Sequence, residues 1–134
     1  MIKAVLDTNI LISSLFWRGY PRRVVDLAIA NKIISITSLE ILEEVRSVLA
    51  DFSPPVSYQR IQDIIRDILS YSHVIKIKNM EVKGLRDLKD VKIVACAVAA
   101  EADYIVTGDQ DLLVLEHYEK IQIVKSKIFF GLIE

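Results

Sequence analysis

Short apolar runs alternate with longer segments of helical character along the whole chain, and this alternation limits the fold more than any other feature. The runs are mostly continuous rather than alternating, as expected for strands covered on both faces. Crossover helices between successive strands impose parallel pairing and right-handed connections. The sequence therefore predicts a three-layer α/β/α sandwich around a mainly parallel five-stranded sheet. The predicted strands are AVL before Asp7 and residues 33–36, 73–77, 104–107 and 121–124.

The segments between these strands carry the signals of helix starts. Pro21 suits a first helical position, and Ser38, Ser57 and Ser126 are residues that cap helices. The segment DVKIVACAVAAE is nearly all apolar, so this helix must be buried on most sides. A chain of 134 residues without an internal repeat fits one domain, residues 1–134. The predicted helices are residues 10–16, 21–30, 39–50, 58–71 and 90–101, with a short one after Ser126.

Composition limits the cellular compartments in which the protein is expected. The single Cys96 cannot form an internal disulfide. No basic region leads a long apolar run after Met1, and no stretch approaches the roughly 20 apolar residues of a membrane helix. We therefore expect a cytoplasmic protein without a membrane partner. The net charge is -1, so nucleic-acid binding would need a local basic patch.

Acidic residues recur where the predicted strands end. Asp7 follows the first strand, Asp87 and Asp90 lie at the start of the buried helix, and Asp109 and Asp111 follow the fourth strand. Ligands of open parallel sheets bind beyond the carboxyl ends of the strands. Each acid also has a purely structural explanation: a helix cap for Asp7, a favourable first-turn charge for Asp90 and a turn residue for Asp109.

Several carboxylates at one sheet edge repel one another, so a positive charge is expected among them. Oxygen-only ligands suit Mg²⁺ or Mn²⁺. One Cys and two distant His residues, His73 and His117, do not favour zinc. The sequence also lacks a Gly-rich phosphate loop and a nucleophile elbow. A divalent cation held by carboxylates is the chemistry that remains.

The helix 39–50 contributes one further acid. At about 100° per residue, Glu44 borders the apolar face of this helix, whereas Glu40 and Glu43 point further towards solvent. Glu44 is therefore the first candidate for the site and Glu40 the second.

These residues carry a family resemblance. The opening DTNILISSL, the helix SLEILEEV, and D-x-x-I-x-A-x-A-x-A followed by ADYIVTGD occur in the order typical of the PIN domain, a metal-dependent nuclease fold. The resemblance runs from Met1 to about Phe130. It is greatest to the stand-alone PIN toxins of toxin–antitoxin systems, the VapC-like ribonucleases.

The resemblance implies a set of site residues. It assigns catalysis to Asp7, Glu44, Asp90 and Asp109. Of these, Asp7, Asp90 and Asp109 would hold Mg²⁺ or Mn²⁺, and Glu44 would orient or deprotonate the attacking water. The supporting polar residues would be Asn9 and Thr107. Related proteins often have an acid-rich stretch with a proline where this chain has RDLKDVK, which weakens the case for Asp87 as a helper.

The implied activity is endonucleolytic hydrolysis of single-stranded RNA, leaving 5′-phosphate and 3′-hydroxyl ends. The implied partners are an antitoxin protein and a second copy of the chain in a homodimer. The alternative is an inactive or weakly active PIN fold that binds RNA or an antitoxin. A receiver domain would need a phosphoacceptor Asp after its third strand, and a haloacid-type phosphatase would need an acid where Asn9 stands.

Two regions are candidates for RNA contact. Residues 72–92 carry six basic and three acidic residues, with Lys83, Arg86 and Lys89 as the main candidates. Trp17 and Arg18 lie after the first helix, where an indole could stack on a base. The alternative is that these charges are solvated and that Trp17 is packed or lies at a subunit contact.

Overall fold

A six-stranded sheet forms the centre of the computed structural model, which describes residues 1–134. The strands are β1 (Lys3–Leu6), β2 (Ile34–Thr37), β3 (Ser72–Val74), β4 (Tyr104–Val106), β5 (His117–Tyr118) and β6 (Ile121–Val124). The helices are α1 (Thr8–Phe16), α2 (Tyr20–Ile29), α3 (Leu39–Ala50), α4 (Tyr58–Tyr71), α5 (Leu88–Ala100), α6 (Gln110–Leu113) and α7 (Ser126–Ile133).

The strand order is β3-β2-β1-β4-β6-β5, and every pair is parallel except β5 with β6. The direction of winding reverses at β1, which lies between β2 and β4. Leu6 of β1 pairs with Val106 of β4, so the residues that follow them emerge side by side at the carboxyl edge. A reversal of this kind opens a crevice at that edge.

The predicted α/β sandwich is confirmed, but the prediction of five strands is wrong by one. The extra strand, β5, has only two residues and forms an antiparallel edge with β6. The predicted strand 73–77 begins at Ser72 and ends at Val74, and the single-turn helix α6 was not predicted. Helix α5 begins at Leu88, two residues before its predicted start, because Asp87 caps it.

Helices cover both faces of the sheet and bury its apolar strands. Helix α5 packs against β1, β2 and β4, and right-handed crossovers put it on the opposite face from α2, which packs against β2. Leu6, Ile105 and Val94 have no exposed surface. None of the helices is long and apolar enough to cross a lipid bilayer. The core fixes the strand ends and helix starts from which the polar residues at the carboxyl edge of the sheet project.

Candidate active site

Asp7 is both a helix cap and a member of a buried polar cluster. It follows β1 and caps α1, with Oδ1 accepting a hydrogen bond from Thr8 N at 2.7 Å. Its other oxygen, Oδ2, accepts one from Thr107 Oγ1 at 2.6 Å. Asp7 is only 8% exposed. The two explanations of Asp7 offered by the sequence are therefore compatible, because one side chain does both.

Thr107 and Asp109 extend this cluster along the loop that follows β4. Thr107 Oγ1 accepts a hydrogen bond from Asp109 N at 2.9 Å while donating to Asp7. Asp109 in turn caps α6, accepting a hydrogen bond from Asp111 N at 2.9 Å. Asn9 Oδ1 accepts a bond from Gly108 N at 3.3 Å, so side chains tie the ends of β1 and β4 together.

Helices α3 and α5 supply the remaining acids. Ser38 caps α3 by accepting a hydrogen bond from Ile41 N at 3.2 Å, which fixes the start of the helix that carries Glu44. Asp87 caps α5 by accepting one from Lys89 N at 3.0 Å. Asp90 follows in the first turn of α5 and is only 6% exposed.

All four predicted catalytic acids line one cleft of about 370 Å³ at the carboxyl edge of the sheet. They come from the β1–α1 junction, α3, α5 and the β4–α6 loop, which are distant in sequence. Asn9 and the second-choice Glu40 line the same cleft, and so does Asp87. Thr107 is fully buried beneath it. The acids that line the cleft are Asp7, Glu40, Glu44, Asp87, Asp90 and Asp109.

The buried acids of the cleft are costly to ionise. Burial raises the pKa of Asp90 to about 7, and the negative charges of Asp109, Asp87 and Asp7 add to this effect. Burial also raises the pKa of Asp7, although the hydrogen bonds from Thr107 and Thr8 oppose the increase. The folded protein therefore holds negative charge that its surroundings do not stabilise.

The cations of the protein neutralise only one of these acids. Lys89 Nζ lies 3.3 Å from Glu44 Oε1, and this contact is the only ion pair in the cleft. The hydrogen bond to Glu44 raises the pKa of Lys89. Asp7, Asp90 and Asp109 form no ion pair.

The donor set fits a hard divalent cation. Carboxylate oxygens of Asp90, Asp109 and Asp111 lie within 4.8 Å of one another, and no His or Cys joins them. Oxygen donors with unneutralised charge suit Mg²⁺ or Mn²⁺. Asp111 was not among the predicted ligands, although its spacing in DQD was a signal for it. Asp7 borders the cleft but does not belong to this group of three.

The predicted RNA-contact residues do not lie together. Lys89 lines the cleft, whereas Lys83 and Arg86 are exposed and do not line it. Trp17 and Arg18 border a separate concavity of about 590 Å³, the Trp17 depression. Its walls include Phe16, Trp17, Arg18, Arg22, Arg23 and Asp26.

A family model described as the PIN domain matches residues 3–111, a span that includes all four predicted catalytic acids. The chain belongs to the PIN-domain family. PIN domains are generally nucleases. The recognition based on DTNILISSL and ADYIVTGD is thus confirmed at the level of the family.

Two further proteins resemble this PIN domain. The uncharacterized protein MJ1680 of Methanocaldococcus jannaschii is 34% identical over 136 aligned residues, which cover 95% of this chain and 85% of that protein. The fold is similar to that in the crystal structure of VapBC2 from Rickettsia felis bound to a DNA fragment from its promoter. That match has a TM-score of 0.65 and 19% identity, and covers 91% of this chain and 97% of the other. At this identity the likeness concerns the fold alone.

Proposed function

We propose that this PIN domain is a Mg²⁺- or Mn²⁺-dependent endoribonuclease that hydrolyses phosphodiester bonds of single-stranded RNA, and that it is the toxin of a toxin–antitoxin system. The observation that carries the proposal is the convergence of Asp7, Glu44, Asp90 and Asp109 in one cleft. Burial of unneutralised carboxylates is unfavourable unless a cation offsets it. The raised pKa of Asp90 gives the same reason for a cation.

Asp7, Asp90 and Asp109 would hold the cation, and Asp111 is added as a further ligand because of its distance to Asp90 and Asp109. Asp109 uses Oδ1 for the helix cap, which leaves Oδ2 available. Each oxygen of Asp7 accepts one hydrogen bond and retains a second acceptor site. Thr107 and Asn9 would orient these ligands rather than contact the substrate. Partners that orient ligating side chains are worth about 10–100-fold in metal affinity or activity.

The reaction is attack of water on phosphorus with departure of the 3′ oxygen. A bound divalent cation supplies a lowered pKa of the attacking water and stabilises negative charge on the phosphate. Glu44 would accept the proton of that water, because it lines the same cleft as the aspartates and its carboxylate is held by Lys89. The products would carry 5′-phosphate and 3′-hydroxyl ends.

The proposed partners are RNA, on the basis of basic residues near the cleft, and an antitoxin, on the basis of the structural neighbour. Lys89 lies beside the acids and would bind an RNA phosphate, and Lys83 and Arg86 would continue a basic path along the same segment. The structural neighbour from Rickettsia felis is a VapBC2 complex, which supports an antitoxin as a protein partner here. A homodimer remains part of the proposal on the same family grounds.

The test is cleavage of unstructured RNA with Mg²⁺, with Mn²⁺ and with EDTA. We expect cleavage only with a divalent cation, and its loss in Asp7→Ala and Asp90→Ala. The control Asp51→Ala removes an exposed acid at the end of α3 whose side chain forms no hydrogen bond or ion pair in the structure. Thermal unfolding supplies a readout independent of turnover, because an ion that binds the folded state raises the Tm.

The outcomes separate the two candidate functions. Cleavage that survives both substitutions would contradict the assignment of the acids. A metal-induced rise in Tm without cleavage of RNA would instead support the inactive binding module.

A further inference from the structure

The Trp17 depression exposes a large aromatic side chain at the end of α1. Trp17 is 64% exposed, although it is the residue at which the helix ends and its backbone N–H still bonds to Ser13 O. Its ring meets that of Phe16 edge-on at 5.9 Å, and Phe16 packs on Phe52 at 5.4 Å. The indole is thus supported from behind while its surface stays accessible. An accessible aromatic ring beside basic groups is the kind of surface on which single-stranded nucleic acids stack their bases.

Three arginines surround this aromatic group, and two of them have no carboxylate partner. Arg22 forms an ion pair with Asp26 at 3.0 Å. The guanidinium carbon of Arg23 lies 5.0 Å from the centre of the Tyr20 ring, which fixes its position without neutralising it. Arg18 is exposed and forms neither an ion pair nor a side-chain hydrogen bond. The depression therefore offers positive charge beside an exposed indole.

We propose that the Trp17 depression is a second contact site for single-stranded RNA, separate from the acidic cleft. Single-stranded nucleic acids bind where basic groups follow the phosphates and aromatic rings stack on bases. Arginine is suited to phosphate because its planar guanidinium donates paired hydrogen bonds. An acidic protein segment is the competing occupant, but the two unpaired guanidinium groups beside one accessible indole match a phosphate next to a base. The inference rests on the proposed function only in its choice of RNA.

The position of the depression predicts a dependence on substrate length. Ser13 lines the cleft and Ser14 lines the depression, so both sites border α1. Helix α1 has nine residues and is about 14 Å long at 1.5 Å per residue, with Asp7 at one end and Trp17 at the other. Only an RNA that extends well beyond the scissile bond would contact both sites.

Trp17 is the only tryptophan, so its fluorescence reports directly on this site. The first experiment titrates the whole protein in EDTA with oligouridylates of about 4 and about 16 nucleotides, the range of lengths bound by single-strand sites. We expect saturable quenching by the longer RNA, weakened about tenfold in Arg18→Ala and largely retained in Arg18→Lys. The control is Arg60→Ala, an exposed arginine on α4 that also lacks an ion pair.

The second experiment uses labelled RNA, because Trp17→Ala removes the fluorophore. Anisotropy should report weaker binding of the longer RNA by Trp17→Ala, and unchanged binding by Tyr58→Ala, an aromatic that is 73% exposed on α4. With Mg²⁺ present, Trp17→Ala and Arg18→Ala should raise KM for the longer RNA about tenfold, without changing kcat or the cleavage of the shorter one. Both altered residues are exposed, so the Tm should stay unchanged.

Three results would overturn the proposal: no quenching by RNA, equal affinities of Arg18→Ala and Arg60→Ala, or displacement of the RNA by polyglutamate at matched charge. The last result would identify an acidic protein segment as the occupant. Binding that depends on Arg18 without any cleavage would support the second site and contradict the nuclease. Cleavage with an unchanged KM in both variants would support the nuclease and contradict the second site.

Discussion

The floor of the cleft carries carboxylates without an ion pair, whereas the carboxylate at its rim is paired with a lysine. The floor is formed by the buried Asp7, Asp90 and supporting Thr107 together with the half-buried Asp109, and none of its carboxylates has an ion pair. At the rim, Glu44 is already paired with Lys89, whose side chain is 65% exposed. The carboxylates of the floor therefore lack a neutralising cation. At the rim, Lys89 can leave Glu44 for a substrate phosphate with little loss of stability. We infer that the floor determines metal binding and stability, and that the rim determines proton transfer and RNA affinity.

The largest expected effect separates proton transfer from metal binding. Removing a general base costs about 10²–10⁴-fold in rate, so Glu44→Gln should lower kcat by that factor. Asp90→Asn should lower it at least as much. The Mg²⁺-induced rise in Tm should survive in Glu44→Gln and shrink in Asp90→Asn, because only Asp90 belongs to the floor. Single-turnover cleavage and thermal unfolding measure the two effects.

The neighbouring Glu43→Gln is the control for Glu44, since the side chain of Glu43 is 76% exposed. If Glu44→Gln also lost the metal-induced rise in Tm, the division between floor and rim would be wrong.

The second prediction concerns pH and the metal-free protein. The pKa of Asp90 rises from 3.8 to about 7 on folding, so the folded state binds a proton more tightly than the unfolded state. The stability that this proton contributes is fully present below about pH 4 and is lost as the pH rises through about 7. Relative to Asp90→Asn, the metal-free protein should lose on the order of 4 kcal/mol across this window, given about 1.4 kcal/mol per pKa unit.

Chemical denaturation in EDTA from pH 4 to 8 measures this loss. Adding Mg²⁺ above pH 7 should restore the stability, because the cation replaces the proton as counter-charge. If the free energy of unfolding changed equally with pH in the metal-free protein and in Asp90→Asn, ionisation of the buried Asp90 would not destabilise the fold.

The third prediction compares two buried threonines at the carboxyl ends of β2 and β4, the parallel strands on either side of β1. Thr107 Oγ1 donates to Asp7 and accepts from Asp109 N, whereas Thr37 Oγ1 has no hydrogen-bond partner. Losing a hydrogen bond to a charged group costs about 1.5–3 kcal/mol, so Thr107→Val should lower the free energy of unfolding by about that amount. Thr37→Val, the same change in shape, should be neutral or stabilising. Equal losses in the two variants would mean that the hydroxyl of Thr107 adds nothing.

The sequence predicted those features that follow from local periodicity and parallel topology. Asp7 and Asp109 follow continuous apolar runs, and parallel strands bring such positions to one edge. The register of α3 fixed the choice of Glu44 over Glu43. The missed elements, α6 and β5, have four and two residues, too few for any period to be recognised.

Other features depend on distances between elements that no local pattern contains. The pairing of Lys89 with Glu44 requires α3 and α5 to approach each other, and the raised pKa of Asp90 requires burial beside Asp109. Asp111 joins the acidic group only because the single turn of α6 folds it back towards Asp90. The separation of Trp17 from the cleft likewise follows from the length of α1. The sequence predicted this helix but not the residues that lie beside each of its ends.

The smallest expected effect is at Lys89, and it tests the rim directly. An ion pair of an exposed lysine contributes little to stability, so Lys89→Met should barely change the free energy of unfolding. If Lys89 leaves Glu44 to bind a phosphate, as proposed, the same variant should raise KM for RNA a few-fold with little change in kcat. Its loss should also reduce the slope of log affinity against log salt by about 0.7, the value for one contact to a single strand.

Lys89→Arg should restore the slope, and Lys120→Met, an exposed lysine near β6, should leave it unchanged. A lower kcat with an unaltered salt slope would mean that Lys89 only positions Glu44, and the rim would then belong with the floor in catalysis rather than in RNA binding.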